Sequence, residues 1–103
     1  MSMVNELIWA IKEDNLDEIK KLIKKGVDID EYSEDDGCTA LILASSNGNI
    51  KIVKELIKHG AQVNRKDNDG CTALMLASSN GNLEIVKELL KCGAKIGEKD
   101  NEG

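Results

Sequence analysis

Three cysteines, one histidine and a run of carboxylates are the residues of this chain with chemistry to offer, and their spacing decides how much. Cys38, Cys71 and Cys92 could serve as nucleophiles or metal ligands, and His59 is the only imidazole. A nucleophile needs a base within hydrogen-bond reach, and a metal needs its ligands about 2 Å from one ion. His59 instead stands in the place that Cys92 takes one repeat later, so the two are a repeat apart rather than around a shared metal. The acidic stretch Asp28-Ile29-Asp30-Glu31-Tyr32-Ser33-Glu34-Asp35-Asp36-Gly37 invites comparison with a calcium loop. Such a loop needs glycine at its sixth place and glutamate at its twelfth. Counted from Asp28, those places hold Ser33 and Thr39; around Asp67-Asn68-Asp69-Gly70 the first place is Arg65 and the twelfth Leu76. Asn47-Gly48-Asn49 lacks the further glycines, the lysine and the preceding strand of a phosphate loop. The chain therefore reads as a non-enzyme without metal or cofactor, and its acidic stretches as solvated turns.

The elements that would position these residues recur. Gly37-Cys38-Thr39-Ala40-Leu41-Ile42-Leu43-Ala44-Ser45-Ser46-Asn47-Gly48-Asn49 returns 33 residues later as Gly70-Cys71-Thr72-Ala73-Leu74-Met75-Leu76-Ala77-Ser78-Ser79-Asn80-Gly81-Asn82. A fixed period of this size marks units that cannot bury their own apolar surface and so stack on one another. Thr39 and Thr72 suit helix N-caps, each opening a helix of about two turns. Gly48 and Gly81 suit the positive φ between two helices. A second helix follows in each unit, with Ile50, Ile52, Val53, Leu56 and Ile57, then Leu83, Ile85, Val86, Leu89 and Leu90, an apolar spread wide enough to meet more than one neighbour. Gly60 and Gly93 end it. The polar stretch from Ala61 to Gly70 begins by alternating and closes on Asp-Gly, which fits a hairpin-like connector better than a helix.

An earlier, more degenerate unit aligns at one residue more. Leu7, Ala10, Leu16, Ile19, Leu22, Ile23 and Gly26 correspond to Leu41, Ala44, Ile50, Val53, Leu56, Ile57 and Gly60. In it Glu18 stands where Ile52 and Ile85 stand. Those two isoleucines are thus expected to face a preceding unit, and the first unit to be a cap with a charged flank. Asn15 with Glu18 has capping-box spacing.

The pattern Gly-x-Thr-Ala-Leu-x-x-Ala-Ser-x-Asn-Gly-Asn, then Ile-Val-Lys-x-Leu and Gly-Ala, resembles the ankyrin repeat, over residues 34 to 103. It departs from the usual pattern at Ala40 and Ala73, where proline is common, and at Ile42, Met75, Asn49 and Asn82, where histidine is common. The resemblance implies an all-α solenoid of stacked helix-turn-helix units joined by β-hairpin-like connectors. A single domain, 1–103, would hold repeats at about 3–36, 37–69 and 70–103. It also implies a protein–protein interaction module of adaptor or inhibitor type. Carried over by position, the contact residues would be Asp35, Asp36, Cys38, Ser46 and Asn47, then Asn68, Asp69, Cys71, Ser79 and Asn80, on connector tips and a concave face. Trp9, aligned with Leu43 and Leu76, either packs under Met1 and Val4 or is exposed as a further anchor.

Bulk properties agree with this class. The chain has 103 residues, 41% hydrophobic and 32% charged, with a net charge of -5 and no proline or phenylalanine. A globular domain with an aliphatic core follows. The acidic balance argues against nucleic acid or an acidic membrane surface. Lys20, Lys21, Lys24 and Lys25 alternate with Ile19, Leu22 and Ile23 as a helix's solvated face. No apolar run suits a membrane span, and Met1 to Glu6 do not read as a secretory signal. An odd cysteine count suits free thiols and a cytoplasmic or nuclear setting. Cys38 and Cys71, one repeat apart, should lie too far from each other to pair.

Two expectations concern partners. Asp28, Asp30, Glu31, Glu34, Asp35 and Asp36 concentrate charge in the first connector, whereas Arg65 and Lys66 offset Asp67 and Asp69 in the second, so the partner is expected to present a basic patch. The third unit keeps the second's apolar set up to Gly103, which leads to the alternative of a self-associating element, or a piece of a longer array, with an exposed aliphatic end.

Overall fold

A computed structural model describes residues 3–34, 37–97 and 99–101. Six helices follow one another: α1 (Val4–Lys12), α2 (Leu16–Lys24), α3 (Ala40–Asn47), α4 (Ile50–Lys58), α5 (Ala73–Ser79) and α6 (Leu83–Lys91). They form three antiparallel pairs. The odd-numbered helices pack in one layer, α1 on α3 and α3 on α5, and the even-numbered in another, α2 on α4 and α4 on α6. The stack measures 36 × 25 × 21 Å. No helix among the described residues is long and apolar enough to cross a membrane.

The helix starts follow from their caps. Thr39 Oγ1 accepts from the Ile42 N–H at 3.3 Å and Thr72 Oγ1 from the Met75 N–H at 3.2 Å. Asn15 and Asn49 cap the second helices of their pairs, accepting from the Glu18 and Ile52 N–H groups, each at 3.1 Å. Asn82 departs from this pattern: its Nδ2 donates to the Ser45 carbonyl at 3.2 Å, so it joins two pairs rather than capping α6. Gly48 turns the chain between α3 and α4 at φ 82°, a left-handed conformation that costs a side-chain-bearing residue about 1–2 kcal/mol. In the first unit Asp14 adopts the same hand at φ 53°, and its Oδ1 accepts from Asn49 Nδ2 at 3.2 Å. Asn and Asp tolerate this region through short polar side chains.

The connectors reverse direction without forming a β ladder among the described residues. Equivalent backbone hydrogen bonds span each reversal, Ser33 N–H to the Cys38 carbonyl and Asp67 N–H to the Cys71 carbonyl, both at 2.9 Å.

One continuous core runs through all three pairs, with Leu7, Ile11, Ile19, Leu22, Leu41, Ile52, Leu56, Ile85 and Leu89 fully buried. Comparing equivalent positions shows which way each side chain faces. Ile19 and Val53 are fully buried and Val86 only half-buried; Ile8 and Ile42 are buried and Met75 half-buried. These positions are covered by a following unit. The reverse holds for Ile52 and Ile85, buried in both later units, while Glu18 is half-exposed in the first. They face backwards, as the glutamate at this place suggests. Positions covered from ahead open fully in the third unit, where Leu83 is 70% and Ile96 81% exposed.

Ser45 stands apart from the other buried hydroxyl residues, Ser33, Thr39 and Thr72, each of which makes a hydrogen bond. It is fully buried, its Oγ has no hydrogen-bond partner among the described residues, and its place is filled by Ile11 in the first unit and by the exposed Ser78 in the third. An unsatisfied buried hydroxyl costs about 1–3 kcal/mol. Ser45→Ala should therefore stabilise the domain by about 1 kcal/mol and raise the melting temperature by about 4–8 °C. Ser78→Ala should be neutral. Matched thermal melts would show it, and a lower midpoint for Ser45→Ala would refute the assignment.

Candidate interaction surface

Two groups of exposed residues come from different parts of this frame. The first is a row at the connector tips and the ends of α3 and α5. Asp67 Oδ1 accepts from two backbone N–H groups, of Asp69 at 2.9 Å and of Cys71 at 2.8 Å, which fixes the second tip and leaves Asn68 and Asp69 projecting. One unit on, Asn101 reaches back to this tip, its N–H donating to the Asp69 carbonyl and its Nδ2 to the Asn68 carbonyl, both at 2.9 Å. The tips thus stack directly. Asn68 lies against Gly37 and Asn101 against Gly70, and at each glycine a β-carbon would collide with the asparagine. At the helix ends Asn80 Nδ2 donates to the Ser46 carbonyl at 2.9 Å, joining α5 to α3.

Of the residues carried over from the sequence, Asn47, Asn68, Asp69, Ser79 and Asn80 are exposed, and Ser46 and Cys71 are half-buried. Asp35 and Asp36 lie outside the described residues. Cys38 is a correction: it is 7% exposed, its N–H donates to Ser33 Oγ at 3.3 Å, and its thiol lies 3.8 Å from the same hydroxyl. The first connector folds back on Ser33 and turns this cysteine inward, so it is buried rather than displayed on the surface. Part of the acidic charge is also committed to structure. Asp28 Oδ1 accepts from the Asp30 N–H at 3.0 Å, and Asp30 Oδ1 from the Gln62 N–H at 2.8 Å, tying the first connector to the second. Arg65, expected to offset Asp67 and Asp69, lies over the Tyr32 ring at 5.3 Å.

The cysteines are free thiols. Desolvation first, then the carboxylates Asp67, Asp100 and Asp69, raises the Cys71 pKa. Cys92 is raised by desolvation and by Glu88, with Lys91 opposing. Both therefore favour the thiol over the nucleophilic thiolate near neutral pH. His59 Nε2 is engaged with Glu55 Oε2 at 3.0 Å, one helical turn back. Among the described residues no three of His, Cys, Asp and Glu converge as a metal set.

The second group is at the N-terminal end. Trp9 is 65% exposed and does not pack beneath Val4, which is buried; Met1 lies outside the described residues. It borders a cleft of about 490 Å³ shared with Asn5, Glu6, Glu13, Asn15 and Glu18. Nothing in the periodic pattern marked these flanking acids; their spacing of three and four residues from Trp9 on α1 was the available signal.

Three stacked helix pairs with tip-to-tip contacts fit a family model described as ankyrin repeats, in three copies, which matches residues 7–100. The chain belongs to the ankyrin repeat family. It is 41% identical over 63 residues to the fowlpox virus (strain NVSL) ankyrin repeat protein FPV216, a match covering 61% of this chain and 21% of that protein. It is 38% identical over 63 residues to ankyrin repeat domain-containing protein 29 of Danio rerio, covering 60% of this chain and 21% of the relative. The matched segment spans about a fifth of either relative. Ankyrin repeats are in general protein–protein interaction modules, and the asparagine-linked tip row here is an ankyrin surface on a fixed frame.

Proposed function

We propose that this chain is a non-catalytic protein-binding module, acting as an adaptor or inhibitor that engages a basic patch on its partner through the tip row and concave face. The observation that carries this reading is the exposed polar row of Asn47, Asn68, Asp69, Ser79 and Asn80, held in register by bonds between successive units. A surface ordered before binding loses little conformational entropy on association. The net charge of -5 and the exposed Glu34, beside Asp35 and Asp36 in sequence, favour a partner rich in Lys or Arg. Complementary charge mainly speeds encounter and fixes register. Three free thiols suit a reducing setting, cytoplasmic or nuclear. A second reading, end-to-end self-association, is favoured by the exposed Leu83, Leu90 and Ile96 of the third unit.

Affinity capture from the source cell, followed by kinetics on the captured partner, tests the first reading. Association should slow as salt rises, since exposed charges are screened over about 8 Å at physiological ionic strength. Asp35→Asn with Asp36→Asn should lower the on-rate and flatten that dependence, and Ser79→Arg should weaken the complex at least tenfold. An unchanged on-rate, or a partner seated only on α2, α4 and α6, would exclude the tip row. Light scattering at two concentrations separates the readings, because only self-association gives a mass that rises with concentration.

A further inference from the structure

The cleft beside Trp9 is an end face of different character from every internal interface of the stack. Inside the stack, the backward-facing positions are apolar: Ile52 and Ile85 are buried, and Leu43 and Leu76 half-buried. At the N-terminal end the same two places hold Glu18 and Trp9, the indole 65% exposed. Glu6 on α1 and Glu13 at its C-cap flank Trp9 three residues before and four after, so the three line one side of the cleft, while Glu18 reaches it from α2. No ion pair joins these carboxylates to a base among the described residues. Glu13 is also the C-cap of α1, where the helix dipole disfavours a negative charge. The cleft is therefore a flat aromatic surface bordered by three carboxylates that make no ion pair among the described residues.

An apolar occupant fails on electrostatic grounds. The aliphatic end of a second copy, with Leu83 and Ile96, would bury Glu18 unpaired, which is unfavourable. A cation on an extended stem fits both parts, its methylenes against the indole and its charge among the carboxylates. Arginine fits better than lysine, because its planar guanidinium stacks on an aromatic face and forks to a carboxylate. The chain already makes this pairing internally, with the Arg65 guanidinium 5.3 Å from the Tyr32 ring centre.

The geometry points to the Trp9 cleft as a second docking site, separate from the tip row, for an arginine-bearing segment of a partner protein. Trp9 is the sole tryptophan, so its fluorescence reports this site alone. The probe is a capped peptide with two arginines flanking a leucine, titrated into the full chain beside the same peptide with citrulline, a neutral isostere, in place of each arginine. The arginine peptide should change the emission saturably, at least tenfold more weakly when salt is raised from 20 to about 300 mM. The citrulline peptide should not. Glu6→Gln, Glu13→Gln and Glu18→Gln combined should weaken binding at least tenfold with helical content unchanged, while Ser79→Arg should leave it as in wild type. Failure of this titration leaves the tip-row reading standing, and failure of the Ser79→Arg partner test leaves this one. An emission that ignores the peptide, equal response to citrulline, or equal affinity in the triple glutamine variant would overturn the proposal. So would an emission that already depends on protein concentration without peptide, since a second copy would then cover the indole.

Discussion

Replacing Ile52 with glutamate should leave the chain unfolded at room temperature. Ile52 is fully buried on α4, in the one core that runs through all three helix pairs, and faces backwards into the interface with the first unit. A carboxylate there would be desolvated among apolar side chains: Ile19 and Leu22 of the first unit belong to the same buried core, while its lysines Lys20, Lys21, Lys24 and Lys25 are exposed. An unpaired buried charge costs several kcal/mol, against a total stability of about 5–15 kcal/mol for a domain. Because the middle unit packs on both neighbours, the loss is not confined to α3 and α4. Two controls isolate the cause. Ile52→Val should cost about 0.5–1.5 kcal/mol, the price of one methylene, and Lys51→Glu, on an exposed neighbour whose equivalent is already Glu84, should change almost nothing. Far-UV circular dichroism on the three variants decides it: an Ile52→Glu protein melting within a few degrees of wild type would place this side chain elsewhere.

Position 52 was legible in the sequence because the repeat supplies its own comparison. Glu18 at the equivalent place of the first unit marks the position as one that an end unit leaves uncovered, and the structure shows the same direction. Threonine caps, the glycine turns and the aliphatic core were legible for the same reason: each is a local preference repeated one period on. What was not legible depends on contacts between units. Asn82 follows the same Ser-Ser-Asn-Gly as Asn49, yet it bonds the Ser45 carbonyl instead of capping its helix. Ser45 and Ser78 are likewise indistinguishable in sequence, but one is sealed by the unit stacked on it and the other is not. Cys38 was placed on the surface by analogy of position, and its burial follows from a turn around Ser33 in the one connector that carries an extra residue. Asp14 was missed because it adopts the left-handed turn where the other units use glycine.

The same asymmetry bears on the candidate surfaces. The polar tip residues were legible as a class, since repeat scaffolds keep a frame and vary what it displays. The acids around Trp9 were legible only in part: Glu6 and Glu13 carry a signal in their spacing from Trp9, but Glu18 joins them from α2 only when the two helices pair. Exposure of a lone tryptophan is unremarkable for a surface residue; its significance comes from the carboxylates that the helix pairing assembles beside it.

Leu89→Ala should release the third unit while the first two stay folded. Leu22, Leu56 and Leu89 occupy equivalent places and are all fully buried. The same truncation should therefore remove a similar amount of packing at each, about 2–5 kcal/mol. Its consequence depends on how each unit is held. Stability in a solenoid is close to a sum of intrinsic terms and nearest-neighbour interfaces. The middle unit has a packed neighbour on both sides, whereas among the described residues α5 and α6 pack on the helix pair of α3 and α4 on one side, with Leu83 and Ile96 exposed on the other. Leu56→Ala weakens the link on which both flanking units depend, so the chain should unfold in one step at a lower temperature. Leu89→Ala weakens a unit with one interface, so that unit should open first, with a free energy below that of global unfolding. Amide hydrogen exchange separates the outcomes. In Leu89→Ala, protection should fall across Ala73–Ser79 and Leu83–Lys91 and persist at Ile11, Ile19 and Leu22, whereas in Leu56→Ala it should fall throughout. Uniform loss of protection in both variants would mean that the three units form one cooperative block, in which the interface between α3 and α5 is stronger than the intrinsic deficit of the end unit.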